Sequence, residues 1–397
     1  MKIYLLLIII IVTAGCEKQQ VNVQTIPALQ NSANVQAEPP LQNSAMEDNF
    51  SEAQTTGKKV NELPILFSYN GLYGYLDRQM QIIIPPIYTR GFNFTDHGYA
   101  LVSYTDENGL RELRILDTEG NIMIREHDAD IYLLYDDIIS YSRNGGLNAK
   151  TVRFRDNMLI ADVLGSSASV VENEIILFVR FSPASERGFI NSTGKRILPN
   201  LELKRMSSGF CEDRAVVYEG DNWDIRIIDI NGNFYGNLDF LRTEYYFSEG
   251  LLPAETKDGL TGYVNKDGDF AFLVPIVNYE DYRLYATDFS GGYALIKTIS
   301  DTSVWRVINN QGAFVSDDLQ LHWASSFSDG FSRVRLLNYK YMFVNTKGEP
   351  LVDLLFDDAF SFLNGYARIV YEGRDGLMNT EGTIFWNDVI VKAQGWD

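Results

Sequence analysis

From Pro64 onward, short apolar runs alternate with polar clusters in one recurring grammar. A β-type run ends in Asp or Asn, a turn usually closed by Gly follows, and a second apolar run leads into a polar spacer. A third run is then announced by Phe-Ser-x-Gly-x-Ala. The stretch GLYGYLDRQMQIIIPPIY (71–88) returns in this form as GLTGYVNKDGDFAFLVPIV (259–277). Within GYLD and YALV, aromatic and branched residues alternate with small or polar ones, which predicts strands packed on one face.

The turns set the period. They read LDRQM (76–80), LDTEG ending at Gly120, INSTG at Gly194, IDING at Gly232, VNKDG at Gly268, INNQG at Gly312, VNTKG at Gly348 and MNTEG at Gly382. From Gly194 the steps are 38, 36, 44, 36 and 34 residues, and the 74 residues from Gly120 to Gly194 leave room for a degenerate unit turning near FRDNM (154–158). The opening Asp or Asn accepts backbone hydrogen bonds just ahead of it, and Gly tolerates positive φ. A second anchor keeps the same phase: FSEGLLPA (247–254), FSGGYALI (289–296), FSDGFSRV (327–334) and FLNGYARI (362–369), with FTDHGYALV (94–102) and FCEDRAVV (210–217) as looser copies.

Two anchors in register predict an all-β repeat architecture of about nine three-stranded units of ~38 residues. Ile65–Tyr69 reads as the third strand of a unit whose beginning is missing, and the last unit, around Gly382, lacks that strand. Were the two to combine, the ends would close. A β-propeller-like ring is therefore favoured over an open β-solenoid, in which the first strand would form a hairpin cap.

The units resemble the WG-containing repeat. The match is fullest at Tyr73-Gly74-Tyr75-Leu76-Asp77 with Ile83-Ile84-Pro85-Pro86-Ile87-Tyr88 and Gly98-Tyr99-Ala100-Leu101-Val102, and less full at Thr261–Asn265 and Trp305–Asn309. No Trp-Gly pair occurs in the chain, so the copies are divergent. The resemblance implies a scaffold over residues 64–386 and carries over no catalytic residue.

Composition changes the picture at the N-terminus. MKIYLLLIIIIVTAGC (1–16) combines Lys2, an apolar run too short to span with ordinary flanks, and small residues before Cys16. It resembles a bacterial lipoprotein signal, which implies cleavage after residue 15 and a lipid on Cys16. Residues 16–63 follow, rich in Gln, Asn, Ser, Ala and Pro, with ALQNSA echoed by PLQNSA. Such a segment reads as a tether, with a root-mean-square span of roughly 35–40 Å. The division is a signal peptide at 1–15, a lipidated Cys16 and tether at 16–63, and a repeat domain at 64–397. Glu17 rather than Asp after the lipidated residue favours an outer-membrane or surface position.

Lys and Arg total 34 against 53 Asp and Glu, a formal net charge of −19. That balance argues against nucleic acid and against direct attraction to an anionic membrane face. Candidate chemistry is sparse. Cys211 stands where sister units have Ser248, Ser290 and Ser328, so all four read as repeat positions, and none lies in a Gly-x-Ser-x-Gly elbow. DINGN and NKDGD lack the spaced acids and closing Glu of a calcium loop. His97, His127 and His322 form no ligand-spaced pair, and no cofactor is expected. Adjacent acids at Asp136-Asp137, Asp317-Asp318 and Asp357-Asp358 point to opposite faces if in strands and read as solvated loops. The expectation is a non-catalytic, lipid-anchored module that binds an unidentified protein, with a glycan-binding module or propeller-type glycosidase as the alternative. Carboxylates around a cavity beside stacked aromatics would favour the alternative, and an open face without a pocket would favour the first.

Overall fold

A computed structural model describes residues 63–395, apart from 144–147, 173, 181–186, 200, 202, 204–207, 220–223, 244–245, 278–283 and 299–303. The segments expected from sequence to be a signal peptide and a tether, Cys16 among them, lie outside these residues apart from Leu63.

The described residues fold into nine small antiparallel sheets, each built from one consecutive stretch of sequence. The first comprises β1 (Ile65–Tyr69), β2 (Leu72–Leu76) and β3 (Ile82–Tyr88). The following sheets span 90–127, 129–161, 164–197, 215–235, 240–273, 293–309, 321–345 and 358–386. These are the blades of a propeller, numbered 1 to 9 below. Helix α1 (Asn387–Ala393) follows the last blade.

Each turn anticipated in the sequence follows the GYLD-type strand of a blade and leads into its outermost strand or, in blades 7 and 8, an isolated bridge. In blade 1 the amides of Gln79 and Gln81 both donate to Asp77 Oδ1 at 2.8 Å, while Met80 N donates to Asp77 O at 3.2 Å. The same three bonds recur at Asp117, Asn191, Asp229, Asn265, Asn309, Asn345 and Asn379. The degenerate unit turns at residues 154–157, with Asn157 at φ 54° in place of a Gly.

Two expectations change. The Phe-Ser-x-Gly-x-Ala strand belongs to the blade that follows it rather than closing the one before, because a tight two-residue hairpin joins it to the next GYLD-type strand. Asn70 and Gly71 make that hairpin in blade 1, with φ of 51° and 78°. Blades also reach four strands rather than three. The additional inner strand is as short as Arg90–Gly91 or Asp358–Ala359, too brief to show periodicity.

Nine buried apolar clusters fill the seams between neighbouring blades among the described residues. The ninth joins the ends: Ile65, Phe67 and Leu76 of blade 1 meet Leu377 of blade 9 and Ile390 and Val391 of α1. The ring is therefore closed. Its closure is not the shared blade expected from sequence, since β1 pairs with β2 and the last blade supplies its own strands. Face packing does the joining, reinforced by Gln394, whose Oε1 accepts from Ile82 N and whose Nε2 donates to Met80 O, both at 2.8 Å.

Candidate functional site

The repeated polar residues turn out to latch blades together. In three blades the hairpin after the Phe carries an acid that receives one or two amides of the next hairpin bearing the motif. Glu212 accepts from Glu249 N and Gly250 N, both at 2.7 Å. Glu249 accepts in turn from Gly291 N and Gly292 N at 2.6 and 2.8 Å, and Asp329 from Gly365 N at 2.7 Å. Beside them, Ser248 Oγ donates to Phe289 O and Ser328 Oγ to Phe362 O, each at 2.6 Å, while Cys211 Sγ lies 3.0 Å from Phe247 O. Cys211 thus occupies the serine slot, as its sequence context indicated. The tyrosines of GYLD and GYVN do similar work: Tyr75 donates to Phe92 O at 2.7 Å and Tyr263 to Thr287 O at 2.8 Å. Burial raises the Tyr75 phenol far above its usual range, so it stays protonated as a donor.

The acidic pairs divide. Asp318 pairs with Arg306 Nε at 2.5 Å and Asp357 with Lys340, so both are held at the surface. Asp137 departs from the solvated-loop expectation, being only 5% exposed. Burial, and then the neighbouring Asp136 charge, push its carboxyl up, while Arg155 Nε at 3.3 Å and Arg153 oppose the shift. His97 Nδ1 lies 3.8 Å from Asp136 on the facing blade. This cluster joins blades 2 and 3 and opens into neither of the two clefts described below. His127 Nε2 lies 3.4 Å from Glu112, and His322 stacks on Tyr339 with 5.3 Å between ring centroids. Among the described residues, no group of three or more His, Cys, Asp or Glu side chains is placed to hold a metal ion.

Arginine and aromatic residues gather on blade 8. Trp323, Arg335 and Tyr341 sit side by side across its three strands in register. Arg335 lies 4.7 Å over Tyr339 and 5.5 Å over Tyr341, and Arg333 lies 4.9 Å over Trp323 and 5.7 Å over Tyr341. Arg333 Nη1 also donates to Ala359 O of blade 9 at 2.6 Å, and burial draws its guanidinium pKa down. At the end of this row the hairpin leaves Leu337 61% and Tyr339 58% exposed, with His322 exposed against the Tyr339 ring. The result is a patch of Tyr, Trp and Arg bearing an uncovered Leu. Sequence reading missed it because the row depends on register across two hairpins.

A second feature is a narrow cleft at the closing seam. Pro64, Ile65, Leu66 and Arg78 of blade 1 face Phe360, Asn364 and Arg368 of blade 9, with Asn93 and Phe94 alongside. Arg78 Nη1 donates to Asn364 O, and its guanidinium lies 5.4 Å over Tyr366. A smaller cleft is lined by Arg90, Phe92, Leu101, Ser103, Arg111, Leu113 and Ile131. Neither is lined by a carboxylate. No helix among the described residues is long and apolar enough to cross a membrane.

Comparison with known proteins adds two segments. Residues 73–106 and 341–374 match the WG containing repeat family model. Each runs from a GYLD-type strand of one blade to the first long strand of the next. No curated protein matches the chain. Solved structures that resemble it include BamB from Moraxella catarrhalis, at 12% identity over 72% of this chain and 88% of that one, TM-score 0.39. Hsv2p of Kluyveromyces lactis matches at 12% over 73% and 94%, TM-score 0.35, and apo AztD from Citrobacter koseri at 8% over 80% and 91%, TM-score 0.36. At these scores the propeller assignment rests on the sheet order and the nine seams.

Proposed function

We propose that this chain is a non-catalytic binding protein of the bacterial cell envelope, built on divergent WG-type repeats and tethered by a lipid on Cys16. One observation carries the reading: the patch of Trp323, Arg333, Arg335, Tyr339 and Tyr341 with the exposed Leu337. Tyr, Trp and Arg dominate binding hot spots because they offer large, stiff contact areas. Here stacking fixes them before any partner arrives, which lowers the ordering cost of association. The partner is proposed to be another protein. The two clefts carry arginines rather than carboxylates, which speaks against a glycosidase pair. Several acyl carbons, at about 0.8 kcal/mol per buried methylene, would hold the anchor in a membrane.

The test is a pull-down from envelope extract on the chain from Glu17 to Asp397, at low and high salt. A reproducible, saturable protein partner supports the proposal. Retention on peptidoglycan or polysaccharide with no protein partner overturns it. Substituting Cys16→Ser should release the protein from the membrane fraction, and continued membrane association would contradict the lipid assignment.

A further inference from the structure

Arginines stack on aromatic side chains around the propeller, and a carboxylate usually completes the arrangement. Arg114, over Tyr104, pairs with Glu112 at 2.8 Å, and Arg143, over Tyr141, has its Nε 2.9 Å from Glu126. Arg306, over Phe314, meets Asp318 at 2.5 Å, and Arg374, over Trp386, meets Asp388 at 2.9 Å. Elsewhere carbonyls stand in. Arg214, over Tyr235, donates to Lys266 O and Asp213 O, and Arg78, over Tyr366, to Asn364 O. Arg368, over Phe360, acts on the Asp375 carboxyl through its charge.

Blade 8 departs from this pattern. Arg335 stacks on Tyr339 and Tyr341, but among the described residues it forms neither an ion pair nor a hydrogen bond, and its Nε is buried without a partner. Arg333 has one hydrogen bond, to Ala359 O, and its Nε is likewise unpartnered. The nearby acids are engaged. Asp357 pairs with Lys340, and Asp358, whose charge reaches Arg333, accepts from Ala359 N at 2.9 Å.

The two arginines stand two residues apart on the strand Phe331–Leu336, so they leave it on one face. Partial burial strips water from Arg335, and only an incoming acceptor restores the lost hydrogen bonds. Its stacked plane fixes the direction of approach, since a guanidinium offers a carboxylate two parallel N–H donors along its edge. Beside it Leu337 and Tyr339, 61% and 58% exposed, offer apolar surface. A carboxylate and an apolar side chain on one short segment match that arrangement. The formal net charge of −19 repels an extended polyanion, which favours a short acidic stretch over a broad acidic surface.

We infer that the blade 8 patch receives an acidic segment of its protein partner, with an Asp or Glu carboxylate on the terminal nitrogens of Arg335 and an adjacent apolar side chain over Leu337 and Tyr339. Arg333 supplies a second positive charge beside the first. The partner thereby completes the stack as Glu112 or Asp388 does within the chain. This rests on the patch being the binding face.

A random peptide display library, selected on the full chain, tests it. Enriched peptides should carry Asp or Glu next to an apolar residue, and replacing that acid by its amide should weaken binding at least about ten-fold, as for a charge-assisted pair. Arg335→Gln should abolish the preference for the acid. Arg335→Lys, which keeps the charge and a long stem but not the fork, should retain only part of it. Lys347→Gln, at an exposed turn of the same blade, should leave it intact. Peptides that bind through Leu337 and Tyr339 without preferring acids overturn this inference and leave the binding face standing. An acid preference that survives Arg335→Gln also overturns it. Failure to enrich any peptide, or enrichment indifferent to Leu337→Asp with Tyr339→Ala, overturns both readings. Capture of anionic phospholipid vesicles through Arg335, with no peptide enriched, overturns the choice of a protein partner.

Discussion

At the scale of single residues, the glycines and acids of the repeat serve seams as well as turns. Gly268 has φ 79°, and a Cβ there would lie 2.7 Å from the Gly236 backbone of the preceding blade. Gly268→Ala should therefore destabilise by at least about 2 kcal/mol, the left-handed cost plus the overlap, read from denaturant unfolding. A loss of a few tenths would mean that the turns do not approach so closely. Gly262, just before the buried Tyr263, admits the neighbouring strand: its Cβ would meet Phe272 O at 2.3 Å. Asp137 gives a pH signature. Its folded pKa is raised, so the folded state holds the proton more tightly than the unfolded chain. Its contribution is most favourable below the ordinary carboxylate value near 4 and is lost as pH rises toward the raised value. Asp137→Asn should remove that decline, making the variant relatively more stable above the window. An unchanged slope of stability with pH would contradict the burial of this carboxyl.

At the scale of elements, the turns were legible because their signal is local: Asp77 or Asn265 and the residues they bond lie within five positions. The phase of the blade was not, because it depends on which of two turns is the tighter, and Asn70-Gly71 outranks the Gly-closed turn only in three dimensions. Helix α1 was also hidden. Its NDVIVKA stretch is rich in branched residues and lacks a side-chain N-cap, and it is helical because Ile390 and Val391 bury against blade 1. The hairpin ladder is likewise non-local, with Glu249 and its donors 42 and 43 residues apart. Glu249→Ala should cost about 1 kcal/mol and speed exchange at Gly291 and Gly292 specifically. Uniform loosening across the ring would instead mean that the ladder carries no local load.

For the whole molecule, one unit repeated nine times gives a ring whose seams are alike in kind, and the ninth seam is the point of difference. It combines a helix, two glutamine hydrogen bonds and a cleft. Ile390→Asp, at a site 8% exposed, should destabilise by about 3 kcal/mol and expose the outer blades first, visible as early exchange in blades 1 and 9. Opening spread evenly around the ring would show that closure adds nothing. The candidate site belongs to the same scale, because Trp323, Arg335 and Tyr341 become neighbours only when blade 8 pairs in register. Its residue types were visible in the sequence, but their assembly was not.

The most direct measurement compares envelope pull-downs on the unaltered chain and on the double variant Leu337→Asp, Tyr339→Ala, both side chains being largely exposed so that folding is preserved. The account predicts at least about a ten-fold loss of the bound partner, the equivalent of about 1.4 kcal/mol at a hot spot. Equal capture by both proteins would contradict it and move the binding face elsewhere on the ring.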